Sequence, residues 1–296
     1  MEWLTSLRLF IEEYNASFTR EQIYDQRLSQ LEREALDRKL KSMDDRGAVI
    51  VNAKVKVKIL ESRSDDVERD VTYLILRSYL IKQNNKFYVE ESMERRKAIL
   101  HDNVIRQDEG LNREGDMKAD IVNLDRDPDI APMPRYRYNR LEAVKYAERW
   151  WNSHNTAYRL FDNDCTNFIS QCLHAGGAPM RGHPNRSKGW WYSGSTWSYS
   201  WAVANALRWY LSGSKQGLRG EEVGSPEQLM LGDVICYDFD GDGRWQHNTM
   251  VVAKDDYGMP LVNAHTYNSR MRYWEYTDST AYTPKIKYKF FRIVDG

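Results

Sequence analysis

The stretch that constrains the fold most is Asp162-Asn163-Asp164-Cys165-Thr166-Asn167-Phe168-Ile169-Ser170-Gln171-Cys172-Leu173. Three residues suited to helix N-caps run into a segment whose apolar members, Phe168, Ile169, Cys172 and Leu173, fall at i, i+1, i+4 and i+5. The spacing predicts a buried helix with Cys165 in its first turn and Asp164 as its cap. Unpaired N–H groups and the positive end of the helix dipole favour a thiolate there, and a thiolate is the start of nucleophilic catalysis. The alternative for the same residue is a small core thiol.

Downstream, Leu231-Gly232-Asp233-Val234-Ile235-Cys236-Tyr237 and Trp245-Gln246-His247-Asn248-Thr249-Met250-Val251-Val252 read as short strands. Asp238-Phe239-Asp240-Gly241-Asp242-Gly243 reads as the loop between them. A third strand is predicted over 260–266, and alternation puts Asn263 and His265 on one of its faces. The chain thus supplies, in order, a Cys at a helix start, a His at a strand start and a polar residue on the next strand. These are the parts of a nucleophile–base–orienter set.

That order resembles the papain-like fold of bacterial cell-wall hydrolases of the NlpC and CHAP type. More closely, the chain resembles the bacterial putative-amidase domain family. The residues that carry the resemblance are Tyr138-Asn139-Arg140, Ala143-Val144 and Tyr146-Ala147 on a helix, then Asn155, Tyr158 and Phe161. They continue with Asp164 through Cys172, Gly176-Gly177, Trp190-Trp191-Tyr192, Gly232-Asp233-Val234, Trp245-Gln246-His247 and Ala264-His265-Thr266. The resemblance covers roughly residues 136–296. It implies amide hydrolysis of peptidoglycan or related peptides, with a Cys nucleophile and a His base and no required cofactor. The expected fold class is α+β, with an antiparallel sheet packed on the Cys-bearing helix.

The roles follow. Cys165 attacks the amide carbonyl, and its own backbone N–H helps to hold the oxyanion. His247 takes the thiol proton and returns it to the leaving amine. His265 orients His247, with Asn263 the alternative for that role. Trp190, Trp191 and Trp245 line the substrate cleft, since indole rings stack on flat apolar faces. The same Cys–His pair also serves acyl transfer, and loss of catalysis would leave a peptide- or glycan-binding module.

Asp238, Asp240, Asp242 and Gly243 match positions 1, 3, 5 and 6 of a calcium loop, which suggests a structural calcium; position 12 is Thr249 rather than Glu. The other reading is an acidic hairpin loop.

Positive and negative residues balance at 43 each, so no global basic field marks a nucleic-acid partner. Three cysteines argue against a disulfide framework, and Cys165 and Cys172 on one helix stand about 10 Å apart, too far to bridge. The start Met1-Glu2-Trp3, with Arg8, Glu12 and Glu13 in the first apolar stretch, lacks the pattern of a signal peptide, and no run of about 18 apolar residues predicts a membrane span.

Of the ten Trp residues only Trp3 precedes residue 150, which suggests two domains with different work. Residues 1–125 are expected to form an N-terminal α+β unit: helices first, then strands over 48–60, 70–81 and 87–91, in a cystatin-like or nuclear-transport-factor-like arrangement. Residues 126–137, with Pro128, Pro132 and Pro134, read as a linker, and 138–296 as the amidase-like domain.

Overall fold

A computed structural model describes residues 2–19, 27–65, 67–111 and 135–296. The linker expected over 126–137 lies outside the described residues except for its last three. The chain divides into two compact units, Met1–Asp116 with Glu275–Tyr282, and Met117–Trp274 with Thr283–Gly296. Both mix helices with antiparallel sheet, so the fold class is α+β. Among the described residues no helix is long and apolar enough to cross a membrane.

The first unit carries helices α1 (Glu2–Ala16) and α2 (Gln30–Asp45), then strands β1 (Ala48–Ser64), β2 (Glu68–Gln83), β3 (Lys86–His101) and β4 (Val104–Gly110). The strands pair in chain order as an antiparallel meander. Ser29 opens α2 with a capping box closed by Glu32. Phe10, Ile11, Tyr14, Val71, Tyr73, Ile75 and Ile81 form the core.

Sequence reasoning placed a strand over 87–91, whereas β3 runs to His101, and it did not anticipate β4. The reason is buried charge. Glu90, Glu94 and Arg96 occupy inward positions of β3 and break the apolar alternation. Arg96 is held by Glu32 at 2.8 Å, Glu94 at 3.1 Å and Asp108 at 2.5 Å, and Tyr73 donates to Asp108 at 2.6 Å. Lys39 pairs with Glu90 and with Asp278. A buried charge is tolerated when its partners surround it in this way.

The second unit opens with α3 (Arg140–Trp150) and α4 (Cys165–Ala175). The short strands β5 (Tyr192–Ser193) and β6 (Thr196–Trp197) follow, with α5 (Tyr199–Ala202) and α6 (Ala204–Gly213). Strands β7 (Gly220–Val223), β8 (Val234–Asp238), β9 (His247–Lys254), β10 (Pro260–Ala264), β11 (Asn268–Tyr273) and β12 (Lys287–Ile293) complete it. Their order in the sheet is β11-β10-β9-β8-β12-β7. Phe168, Ile169, Cys172 and Leu173 of α4 are fully buried against Val234, Cys236, Met250 and Phe291 of that sheet. Apolar burial contributes about 25 cal/mol per Å², so this helix-on-sheet contact stabilises the unit.

The Gly232-Asp233 pair is architectural. Gly232 has φ +82°, and a Cβ there would crowd Arg140 and the Tyr138 hydroxyl. Tyr138 donates to the Gly232 carbonyl at 2.8 Å, and Asp233 accepts from Arg140, Met230 N–H and Ile293 N–H.

Candidate active site

Cys165 starts α4, and its thiol is almost fully buried. Two segments press on it. Just before β9 the Gln246 carbonyl lies 4.0 Å from Sγ, and on β9 the Asn248 backbone N–H donates to the sulfur. The sulfur therefore lies beside the peptide groups on both sides of His247. After β10, the Thr266 hydroxyl oxygen accepts from the N–H groups of Asp164 (3.0 Å) and Cys165 (3.2 Å). Thr266 reaches them from a left-handed backbone, φ +75°.

Those last bonds correct one expectation. The Cys165 N–H is engaged by Thr266, so it is not an open oxyanion donor in this structure. A second correction concerns the thiol itself. Burial pushes the Cys165 thiol up, against the Thr166 hydroxyl and the Asn248 N–H, which favour the anion. A helix terminus is worth about 1 kcal/mol to a charge, less than one pKa unit, while full burial moves a group by several, so burial wins.

His247 is fully buried, and burial, aided by Arg272, holds it down to about 3. Its backbone is registered against Tyr237, and its ring lies 5.6 Å from that of Tyr237 and 6.2 Å from that of Phe239. Its neighbour Asn248 points toward α4, where its amide donates to the Thr166 oxygen at 3.0 Å. Thr166 Oγ1 in turn lies 3.6 Å from Cys165 Sγ.

His265 does not orient His247. β10 stops at Ala264, so the predicted strand face shared with Asn263 is lost at His265. The His265 Nδ1 meets Asp164 at 2.8 Å, and Nε2 meets the Trp150 carbonyl at 2.8 Å. Each ring nitrogen thus faces an oxygen. The ring stacks on Phe168 at 3.8 Å and 8°.

Asp164 is likewise not a side-chain cap. Its carboxylate accepts from His265, from the Asn167 amide at 2.8 Å and from Phe161 N–H at 3.2 Å. Asn263 turns to α3, donating to Glu148 at 2.8 Å and accepting from Met271 N–H.

The three tryptophans assigned to a cleft are core. Trp190 and Trp191 are 0% and 2% exposed, and Trp245 is 5%. Trp190 donates to Ser170, and Trp191 to the Asn185 and Lys188 carbonyls. Indole N–H groups that find internal partners allow the rings to be buried whole.

The aspartate loop spends its carboxylates on itself. Asp238 accepts from the N–H groups of Gly241, Asp242 and Gly243, Asp240 from the Gln246 amide, and Asp242 from Arg244 N–H. Among the described residues no group of three His, Cys, Asp or Glu side chains is placed to hold a metal ion. Asp238, Asp240 and Asp242 thus all serve as hydrogen-bond acceptors within the hairpin loop.

Sequence reasoning missed Thr166, Asn248 and Thr266 as neighbours of the thiol. Thr166 and Asn248 are each adjacent in sequence to a residue it had singled out, so only their polarity at buried positions marked them.

The family model described as "Putative amidase domain" matches residues 137–291, the part of the chain that holds this site. The chain is 51% identical over 268 residues to "Uncharacterized protein YhbB" of Bacillus subtilis (strain 168), covering 88% of this chain and 86% of that protein. It is 30% identical over 140 residues to "Uncharacterized protein YjcM" of the same organism, covering 44% of this chain and 31% of that one. No solved structure matches. With more than half its length matched by that model, the chain belongs to the putative amidase domain family.

Proposed function

We propose that the chain is a cysteine-dependent amide hydrolase of papain-like type, as in NlpC and CHAP enzymes, acting on peptidoglycan or related peptides. The observation that carries this reading is the Cys165 sulfur, at a helix start, lying against the Gln246 carbonyl and the Asn248 N–H on either side of His247.

In this mechanism the Cys165 S–H proton passes to His247 as sulfur bonds to the amide carbonyl carbon. The C–N bond then breaks, and the amine leaves with the proton held by His247. Water, deprotonated by the same imidazole, cleaves the thioester and regenerates the thiol. Burial raises the Cys165 thiol and lowers the His247 imidazole, so each of them rests neutral. Transfer between them is uphill while the site is closed. The productive form is one that substrate and water have entered, restoring the solvation both charges need. Asp164 and His265 act as positioning residues that fix the start of α4 under the thiol.

The low exposure of Cys165 favours one competing reading, a binding module that keeps the fold without catalysis. Purified peptidoglycan incubated with the wild-type chain and with Cys165→Ala, then analysed by mass spectrometry for new amine and carboxylate ends, separates the two. Fragments from the wild type alone support the hydrolase. Binding without fragments from either chain supports the module.

A further inference from the structure

We propose that Arg159 and Arg186, gathered around the Trp197 ring, form a subsite for a carboxylate carried by the substrate. This inference rests on the hydrolase reading and adds to it a charged recognition element.

The Arg159 guanidinium lies 5.3 Å from the Trp197 ring centroid, and that of Arg186 lies 5.2 Å from the same centroid. Arg159 also sits 5.8 Å from the Phe161 ring, and Arg186 4.9 Å from that of Tyr199. Phe161 meets Trp197 edge-on at 4.8 Å. Unlike the three buried tryptophans, this group is open: both arginines are exposed and the three rings are half-buried.

Two like charges are thus fixed on one indole with no acid between them. Among the described residues neither arginine forms an ion pair, and Arg186 has only the Trp197 carbonyl, 3.0 Å from Nε. The acids nearest in sequence do not serve. Asp164 is committed to His265 and Asn167, and Asp162 is exposed without contacting either arginine. Stacking on rings fixes a guanidinium in place while leaving its N–H fork free, the arrangement suited to a planar carboxylate.

The platform is joined to the thiol. The Arg159 carbonyl accepts from the Asn167 amide on α4 at 2.9 Å, the Arg159 N–H donates to Tyr192, and the Phe161 N–H donates to Asp164. Phe161 precedes Cys165 by four residues, so even a fully extended chain would separate them by at most about 15 Å. That is the reach of a few residues of an extended peptide. An acidic side chain or terminus near the scissile amide would fall on the arginines with its bond at the sulfur.

The test uses the full chain carrying Cys165→Ala, titrated calorimetrically with the peptide L-Ala-γ-D-Glu-L-Lys and with the same peptide bearing amidated carboxylates. The acid form is expected to bind on the order of tenfold more tightly. The preference should shrink as salt rises and disappear in R159Q/R186Q, while R159K/R186K, which keeps charge without the fork, retains only part of it. Thermal melts of each variant keep misfolding separate from lost recognition. Equal affinity for the two peptides, binding of neither, or a preference that survives R159Q/R186Q would overturn the subsite. A chain that prefers the acid yet never cleaves peptidoglycan would remove the hydrolase reading and leave the subsite standing.

Discussion

Asp164 and His265, separated by 101 positions, meet at 2.8 Å directly beneath the first turn of the cysteine helix. The contact joins the residue before Cys165 to the end of β10, and Phe168 covers the imidazole from one side. The start of α4 is therefore held by tertiary structure, not by a local cap.

Removing one member of that pair leaves the other buried without its counterpart. His265→Ala should cost about 1–3 kcal/mol of unfolding free energy, since it removes one buried hydrogen bond to Asp164 and leaves the carboxylate with only Asn167 and Phe161 N–H. Denaturant unfolding checks this. A loss near zero would mean that the contact does not hold the helix start.

Thr166 is expected to tune the thiol. Its oxygen accepts from Asn248 at 3.0 Å and lies 3.6 Å from Sγ, a contact in which either atom can donate and which favours the anion when the hydroxyl does. Thr166→Val should raise the pH midpoint of Cys165 alkylation, and Thr166→Ser should restore it. Mass-spectrometric readout at Cys165, Cys172 and Cys236 together gives the comparison. An unmoved midpoint in Thr166→Val would remove the hydroxyl from the account.

His247 makes stability pH-dependent. Its folded value is about 3 against an ordinary 6.5, so between those values the unfolded chain binds a proton that the folded one refuses. Its contribution is complete above 6.5 and is lost as pH falls toward 3. From pH 7 to pH 5, wild type should lose about 2 kcal/mol more than His247→Asn, at roughly 1.4 kcal/mol per unit. Parallel pH profiles for the two chains would contradict the buried neutral imidazole.

Trp190 should matter to folding and not directly to recognition. It is fully buried, with its N–H on Ser170 at 2.9 Å. Trp190→Ala is expected to lower stability by about 3–5 kcal/mol. If the variant instead melts like wild type and binds peptide poorly, the ring belongs to the cleft after all.

The helix at Cys165 and the strand starting at His247 were legible because each is a short pattern of apolar spacing bounded by turn residues. The α+β character of both units was legible for the same reason. What local pattern does not carry is the partner of a side chain. Asp164 reads as a cap from its position, and only the return of the chain at His265 and Thr266 shows that its carboxylate is needed elsewhere. Tryptophans read alike in core and cleft, and Trp190 and Trp197 differ only in which internal acceptors and neighbours the fold brings to them. The length of β3 was hidden because Glu90, Glu94 and Arg96 look like surface residues until their counter-ions on α2, β2 and β4 are in place. The Asp238 loop has calcium spacing in sequence, and only the fold shows that Asp238 accepts from the N–H groups of Gly241, Asp242 and Gly243.

The most direct test is to quench the chain in acid while it is turning over peptidoglycan, digest it, and weigh the peptide that contains Cys165. The account predicts a thioester adduct on Cys165, carrying the mass of the acyl fragment and absent in Cys165→Ala. Release of fragments with no adduct, and with Cys165→Ala equally active, would contradict it.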